Sequence, residues 1–193
     1  MMFSKAEMFN RKASHPKYRA NEIMKVLALS EGAVVADIGA GGGYFAMRFA
    51  ETVGSEGKVY AIDTDRKLLA YIEKCAEKNR IANIETILTG ERGVVLPEQS
   101  CDLIFLRNVF HHLRQPEDYF RSLKNFLRPK GRVAVIDYKK PRAVMRFISP
   151  IGHYAEERFI RETMRKAGYV LVESHDFLPE QSFNIFQAAE NGK

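Results

Sequence analysis

The sequence predicts an α/β protein, a doubly wound and mostly parallel sheet with one antiparallel hairpin edge. Three observations carry this expectation. Short apolar, β-branched runs alternate with amphipathic helical stretches five times along the chain. Four glycines, Gly39, Gly41, Gly42 and Gly43, follow directly on the first such run, in "VVADIGAGGGYF". The chain closes on two strand-like runs joined by a short turn.

Each element has its own signal. Residues 16–29 read as an amphipathic helix with Ile23, Val26 and Leu27 on one face. "VVADI" is a buried strand, and Tyr44–Val53 is a helix with Phe45, Phe49 and Val53 at four-residue spacing. "KVYAID" is the second strand, and 65–80 a helix with Leu68, Leu69, Ile72, Cys75 and Ala76 along one face. Asp65 reads as its N-cap. "NIETILT" and "CDLIFL" are the third and fourth strands. Pro116 opens a helix that turns Phe120, Leu123 and Leu127 to the core and ends at "PKG". "RVAVID" is the fifth strand. After an irregular segment, 138–154, a helix over 155–167 stops at Gly168. "YVLVESHDF" and "FNIFQAA", joined by "LPEQ", form the hairpin.

Bulk properties narrow the class. A chain of 193 residues is expected to be a single domain, 1–193, with residues 1–29 as an N-terminal helix or lid and 30–193 as the core. Its apolar share of 46% with 28% charged residues is that of a folded globular protein. The two cysteines, Cys75 and Cys101, have no metal-ligand spacing around them, so neither a disulfide framework nor a metal site is expected, and a reducing cytoplasm is the default. No run approaches the roughly 18 apolar residues of a membrane span, and the N-terminus lacks the apolar core of a signal peptide. A net charge of +6 permits an acidic partner without requiring one.

In such sheets a ligand lies beyond the carboxyl ends of the strands, and a glycine turn lets it approach the backbone near the next helix N-terminus. Asp63 ends the second strand twenty residues after Gly43, where a carboxylate can accept from both hydroxyls of a ribose. An adenosine-containing cofactor follows. The dinucleotide pattern G-x-G-x-x-G would need glycine at position 44, which is Tyr44. Asp37, just ahead of the loop, would repel a pyrophosphate but attract the sulfonium and ammonium charges of S-adenosylmethionine. No tyrosine has a lysine four residues on, as a proton-transferring dehydrogenase pair would require.

With these features the sequence resembles the class I S-adenosylmethionine-dependent methyltransferases, and within them the ubiquinone-methyltransferase-like group acting on small molecules. "VADIGAGGGYF", "VYAIDTD", "TGERGVVLPEQSCDLIFLRNVFHHL" and "LRPKGRVAVID" are similar to the family's motifs and stand in the expected order. The resemblance implies a Rossmann-like sheet of order 3-2-1-4-5-7-6 with strand 7 antiparallel. It also implies roles. Asp37, Gly39, Ala40, Gly41 and Gly43 would surround the methionine part of the cofactor. Asp63 would bind the ribose, and Thr64 would border the adenine. Gly90 and Glu91 stand where the family has Gly-Asp, with the acid on the adenine amino group. Arg107 and Asn108 would line the methionine side and the mouth of the substrate pocket.

The sulfonium is an activated methyl donor, so catalysis is mainly alignment and exclusion of water. A base is needed only for a neutral, weakly acidic acceptor, and His153 and His112, with the adjacent His111, are the candidates. The strand-four ending "LRNVF" lacks the Pro-Pro-aromatic motif of exocyclic base methylation, neither cysteine has a cytosine-methylating setting, and no acidic trio suggests a metal-dependent catechol enzyme. A small-molecule acceptor therefore comes first, with RNA, protein, or a non-catalytic cofactor-binding role behind it. The basic stretch 138–146 reads either as a solvated loop or as a contact for an anionic substrate or nucleic acid. Segments 1–19 and 138–154, both mixing aromatic and basic residues, are expected to form a lid over the acceptor pocket.

Overall fold

The computed structural model describes residues 3–90, 93–140 and 154–189. Seven strands form one sheet in the order β3-β2-β1-β4-β5-β7-β6. They are β1 Val34–Ile38, β2 Lys58–Asp63, β3 Ile84–Leu88, β4 Cys101–Arg107, β5 Leu127–Tyr138, β6 Tyr169–His175 and β7 Gln181–Ala188. The first five pair in parallel, and β7 runs antiparallel to both β5 and β6. This is the sheet the sequence predicts, including the terminal hairpin.

Helices close both faces. The central strand β4 shows why: Leu103 and Phe105 point to one core while Ile104 and Leu106 point to the other, all fully buried. A strand buried on both sides needs a near-continuous apolar run. On the first face lie α2 (Ala20–Leu27), α3 (Tyr44–Val53) and α4 (Arg66–Lys78), with Ile23, Phe49 and Ile72 in that core. Phe45, Phe49 and Phe105 meet with ring centroids 5.0 to 5.9 Å apart, locking α3 over β4. On the second face α5 (Pro116–Leu123) and α6 (Glu157–Lys166) bury Phe120, Ile160 and Met164.

Three sequence expectations are corrected. A helix unforeseen in the sequence, α1 (Lys5–Ser14), precedes the rest and lies against α3 and α4. Ser4 and Glu7 form a reciprocal capping box at its start. The helix expected over 16–29 is instead a 3₁₀ turn at Pro16–Tyr18 followed by α2, because Arg19 adopts the left-handed conformation at φ 48°. The helix opened by Pro116 ends at Leu123, before "PKG". Leu127 begins β5 and pairs with Cys101, so Pro129 falls in an irregular stretch where the ladder shifts register and no N–H is needed.

Candidate active site

The C-terminal ends of β1, β2, β4 and β5 open into a cleft of about 1410 Å³. It lies at β1 and β4, where the strand order reverses. Asp37, Gly39, Ala40 and Gly41 line it from β1 and its loop, and Asp63, Thr64 and Gly90 from the β2 and β3 side. Arg107, Asn108 and His112 line it from β4 and the following turn. Gly43 stands behind the wall as the N-cap of α3, with its Cα against Ile72. Glu91 and His153 lie outside the described residues, as does most of the segment 138–154.

The glycines answer to two different neighbours. At Gly39, φ is +74° and a Cβ would come within 2.3 Å of Val109 Cγ2, so the loop leaves β1 flush against the turn after β4. At Gly42 a Cβ would meet the backbone oxygen of Ala6 and Asn10 Oδ1, both at 2.3 Å. The body pressed against Gly42 is thus the protein's own α1. Asn10 clips the two together. Its Nδ2 donates to the Gly42 carbonyl at 2.8 Å, and its Oδ1 accepts from the Tyr44 N–H at 3.1 Å, satisfying a free donor at the start of α3. Lys5, at the start of α1, pairs with Asp65 at 2.8 Å. Further along the N-terminal segment, Lys17 pairs with Glu180 at 3.1 Å and Arg19 Nη1 donates to the Phe177 carbonyl at 3.1 Å.

Two buried charges face the cleft with atoms left over. Asp37 is 3% exposed, and its Oδ2 has no hydrogen-bond partner among the described residues. Burial pushes its carboxyl up to about 7; the Asp63 charge adds to the rise and Arg107 opposes it. Arg107 Nε and Nη2 are likewise buried without partners among the described residues. Its guanidinium lies 5.0 Å from the Tyr18 ring centre and 5.5 Å from that of Phe45. Burial lowers its proton affinity, while the surrounding Tyr138, Tyr18 and Asp37 work the other way. An orphaned carboxylate oxygen and two orphaned N–H groups in one cleft fit a zwitterion with its ammonium and carboxylate ends. The methionine part of S-adenosylmethionine is such a zwitterion.

Asp63 is committed to the backbone as well as to the cleft. Its Oδ2 accepts from the Gly41 N–H at 2.9 Å and its Oδ1 from the Asp65 N–H at 3.0 Å. Each oxygen keeps a further lone pair for a ligand hydroxyl. Asp65 is the N-cap of α4, as expected from the sequence, accepting from the Lys67 N–H at 2.9 Å. Asn108 adopts φ 58°, and its Oδ1 accepts from Gln181 Nε2 at 2.5 Å, tying the mouth of the cleft to β7.

The sequence reading missed one pairing. His111 Nδ1 lies 2.7 Å from Oδ1 of Asp137, which is fully buried. His112 is the more exposed of the two histidines, its ring 4.0 Å from that of His111. An acid closing the apolar run "RVAVID" was the available signal, since a charge inside a buried strand needs a partner. Among the described residues no group of acids, histidines and cysteines could hold a metal ion.

A doubly wound sheet with a glycine turn at its switch point and two buried, opposite charges with orphaned atoms beside it is the arrangement of a nucleoside-cofactor-binding protein. Residues 29–190 match the family described as "Methyltransferase domain", and the chain belongs to it. It is an S-adenosylmethionine-dependent methyltransferase, and S-adenosylmethionine is its cosubstrate. Among curated relatives, it is 25% identical over 169 residues to the demethylmenaquinone methyltransferase of Geobacillus sp. (strain WCH70), covering 78% of this chain and 70% of that protein. It is 28% identical over 111 residues to the ubiquinone/menaquinone biosynthesis C-methyltransferase UbiE of Escherichia fergusonii, covering 57% and 44%. Among solved structures, a SAM-dependent methyltransferase from Aquifex aeolicus superposes with TM-score 0.84 at 24% identity, over 96% of this chain and 98% of that one. The cyclase SpnF superposes with TM-score 0.73 at 14% identity, over 88% and 81%. At these identities the structural likeness speaks to fold alone.

Proposed function

We propose that the chain transfers the methyl group of S-adenosylmethionine to a small organic acceptor. The observation that carries this reading is the size of the cleft. At about 1410 Å³ it exceeds the roughly 300–1,000 Å³ of a pocket for one drug-sized ligand, leaving room for a second small molecule beside the cofactor. The curated relatives support it, since the substrate in their name, demethylmenaquinone, is a small organic molecule.

The chain's own residues then divide the work. Arg107 holds the carboxylate of the methionine part and Asp37 its cationic side, filling the orphaned atoms. Asp63 receives the ribose hydroxyls while bracing the glycine loop, and Thr64 borders the adenine. Gly39, Ala40, Gly41 and Gly43 shape the loop that the cofactor lies along, and Gly90 borders the adenine. Asn108 borders the acceptor side. The cosubstrate supplies an already activated methyl group, so the protein's part is to align, to exclude water and to accept any proton. Residues 1–29 act as the lid on the core 30–193, with α1 lining the cleft and clipped to the glycine loop by Asn10. Among the described residues no helix is long and apolar enough to cross a membrane, which fits action in the cytoplasm on a diffusible acceptor.

Tritium transfer from methyl-labelled S-adenosylmethionine to fractionated metabolites, RNA and protein tests the reading. Label is expected in the small-molecule fraction. Label confined to RNA or protein would contradict it.

A further inference from the structure

Around Tyr18 and Tyr138, three distant pieces of the chain meet at one corner of the cleft. The two hydroxyls lie 3.3 Å apart, and the Tyr18 hydroxyl reaches Glu180, in the turn between β6 and β7, at 3.5 Å. Lys12, on α1, holds its Nζ 4.9 Å from the centre of the Tyr138 ring. Lys139, just after β5, donates from its backbone N–H to the Glu180 carbonyl and from Nζ to the Leu178 carbonyl at 3.3 Å. Lys12, Tyr18, Tyr138, Lys139 and Glu180 all line the cleft.

The cations of this lining are not answered equally. Lys5 has Asp65 at 2.8 Å, while Glu180 is taken by Lys17 at 3.1 Å and by the Tyr18 hydroxyl. Lys12 and Lys139 meet no carboxylate among the described residues; one has a ring face and the other a backbone carbonyl. Either offsets a full positive charge far less than a carboxylate does. Arg107 stands at the same corner, 5.0 Å from the Tyr18 ring centre, but under the proposal above its counter-charge is the cofactor's carboxylate. Solvated surface lysines without partners are commonplace. Two that converge on the lining of one cleft raise the local concentration of anions inside it.

We infer that Lys12 and Lys139 select an acceptor that carries an anionic group, a carboxylate or a phosphate, on a flat organic body. The inference rests on the methyl-transfer reading above and gives its acceptor a charge class. The rings of Tyr18 and Tyr138 supply a wall for that body, and the two lysines supply the charge. An anion held at this corner fixes which end of the acceptor is anchored, and transfer from a sulfonium depends on such alignment. It also discriminates, because a neutral analogue of the same shape leaves both lysines without a counter-charge.

Three probes of one shape test it: 2-naphthoate, 2-naphthyl phosphate and the neutral 2-naphthamide. Each is titrated by calorimetry into protein saturated with S-adenosylhomocysteine, whose own carboxylate keeps Arg107 from the probe. At low salt at least one anion is expected to bind saturably and about five- to tenfold tighter than the amide. The tighter of the two anions identifies the group, and added salt should shrink the preference. Lys12→Met and Lys139→Met should each reduce the preference several-fold, and the double variant should bind all three probes alike. Lys25→Met, on α2 and outside the cleft lining, should keep the preference. Calorimetry with S-adenosylhomocysteine reports that each variant is folded. Failure of the wild type to bind S-adenosylhomocysteine would sink the methyl-transfer reading itself. Normal S-adenosylhomocysteine binding with no saturable anion, with anions and amide bound alike, or with the preference intact in the double variant, would overturn this inference alone. An anion that binds only by displacing S-adenosylhomocysteine would overturn it too.

Discussion

Asp37 brings a carboxylate to the end of β1, where its Oδ2 meets no donor among the described residues and burial pushes the group up to about 7. The folded chain holds this proton more tightly than the unfolded chain. The residue therefore favours the fold below its ordinary 3.8, and that contribution is lost as pH rises through about 7. At neutral pH a partly ionised acid sits in a low-dielectric site that a cation would relieve. Binding of S-adenosylmethionine should thus release a proton, and affinity should rise between about pH 6 and 8, by up to roughly tenfold per unit below 7. Calorimetry in two buffers of different ionisation heat counts the protons; an affinity flat across that range would remove Asp37 from the cationic side. Asp63 carries a double burden, because Gly41 and Asp65 both donate to it. Asp63→Ala should lower stability by about 1–3 kcal/mol through two unpaired N–H groups. It should also weaken S-adenosylhomocysteine by roughly 30- to 1000-fold through the lost ribose contacts. Denaturant titration and calorimetry separate the two effects, and wild-type affinity in a folded variant would contradict the ribose role.

Helix α1 shows what a sequence conceals at the scale of one element. It buries only Ala6 and Ala13, so it has none of the apolar periodicity that made α3 and α4 legible. What holds it is polar and distant: Asn10 bonds to residues 32 and 34 positions away, and Lys5 pairs with Asp65. The capping box Ser4-x-x-Glu7 was its one local signature. The His111 and Asp137 pairing was hidden for the same reason, since 26 residues separate partners that adjacency of β4 and β5 brings together. By contrast β1, its glycine turn and α3 were legible because strand, turn and helix signals fall within twenty consecutive residues. The Pro116 helix was read too long, since Leu127 satisfies an apolar helical spacing and a strand start equally well. If α1 is a lid clamped by Asn10, then Asn10→Ala should cost about 1–2 kcal/mol of local stability. Proteolysis within residues 3–19 should accelerate several-fold, and cofactor affinity should fall with it. Unchanged cleavage rates would show that the clip carries no weight.

Across the whole molecule, the sheet order places the carboxyl ends of β1, β2, β4 and β5 around one opening, and the N-terminal segment crosses above it from Asp65 to Glu180. The charge pattern inside follows from that geometry. Asp37 on β1 and Arg107 on β4 belong to neighbouring parallel strands and both line the cleft, yet each keeps buried polar atoms without partners among the described residues. Folding alone gives no reason to bury such atoms, and a zwitterionic ligand does. The direct test compares S-adenosylhomocysteine with 5′-methylthioadenosine, which lacks the amino-acid end, by calorimetry on the wild type, Asp37→Asn and Arg107→Met. The wild type should prefer S-adenosylhomocysteine by roughly tenfold or more, as charge-assisted hydrogen bonds of about 1.5–3 kcal/mol imply. That preference should collapse in Arg107→Met and shrink in Asp37→Asn, while 5′-methylthioadenosine binds all three alike. An equal preference in wild type and Arg107→Met would contradict the assignment of these two charges to the cofactor.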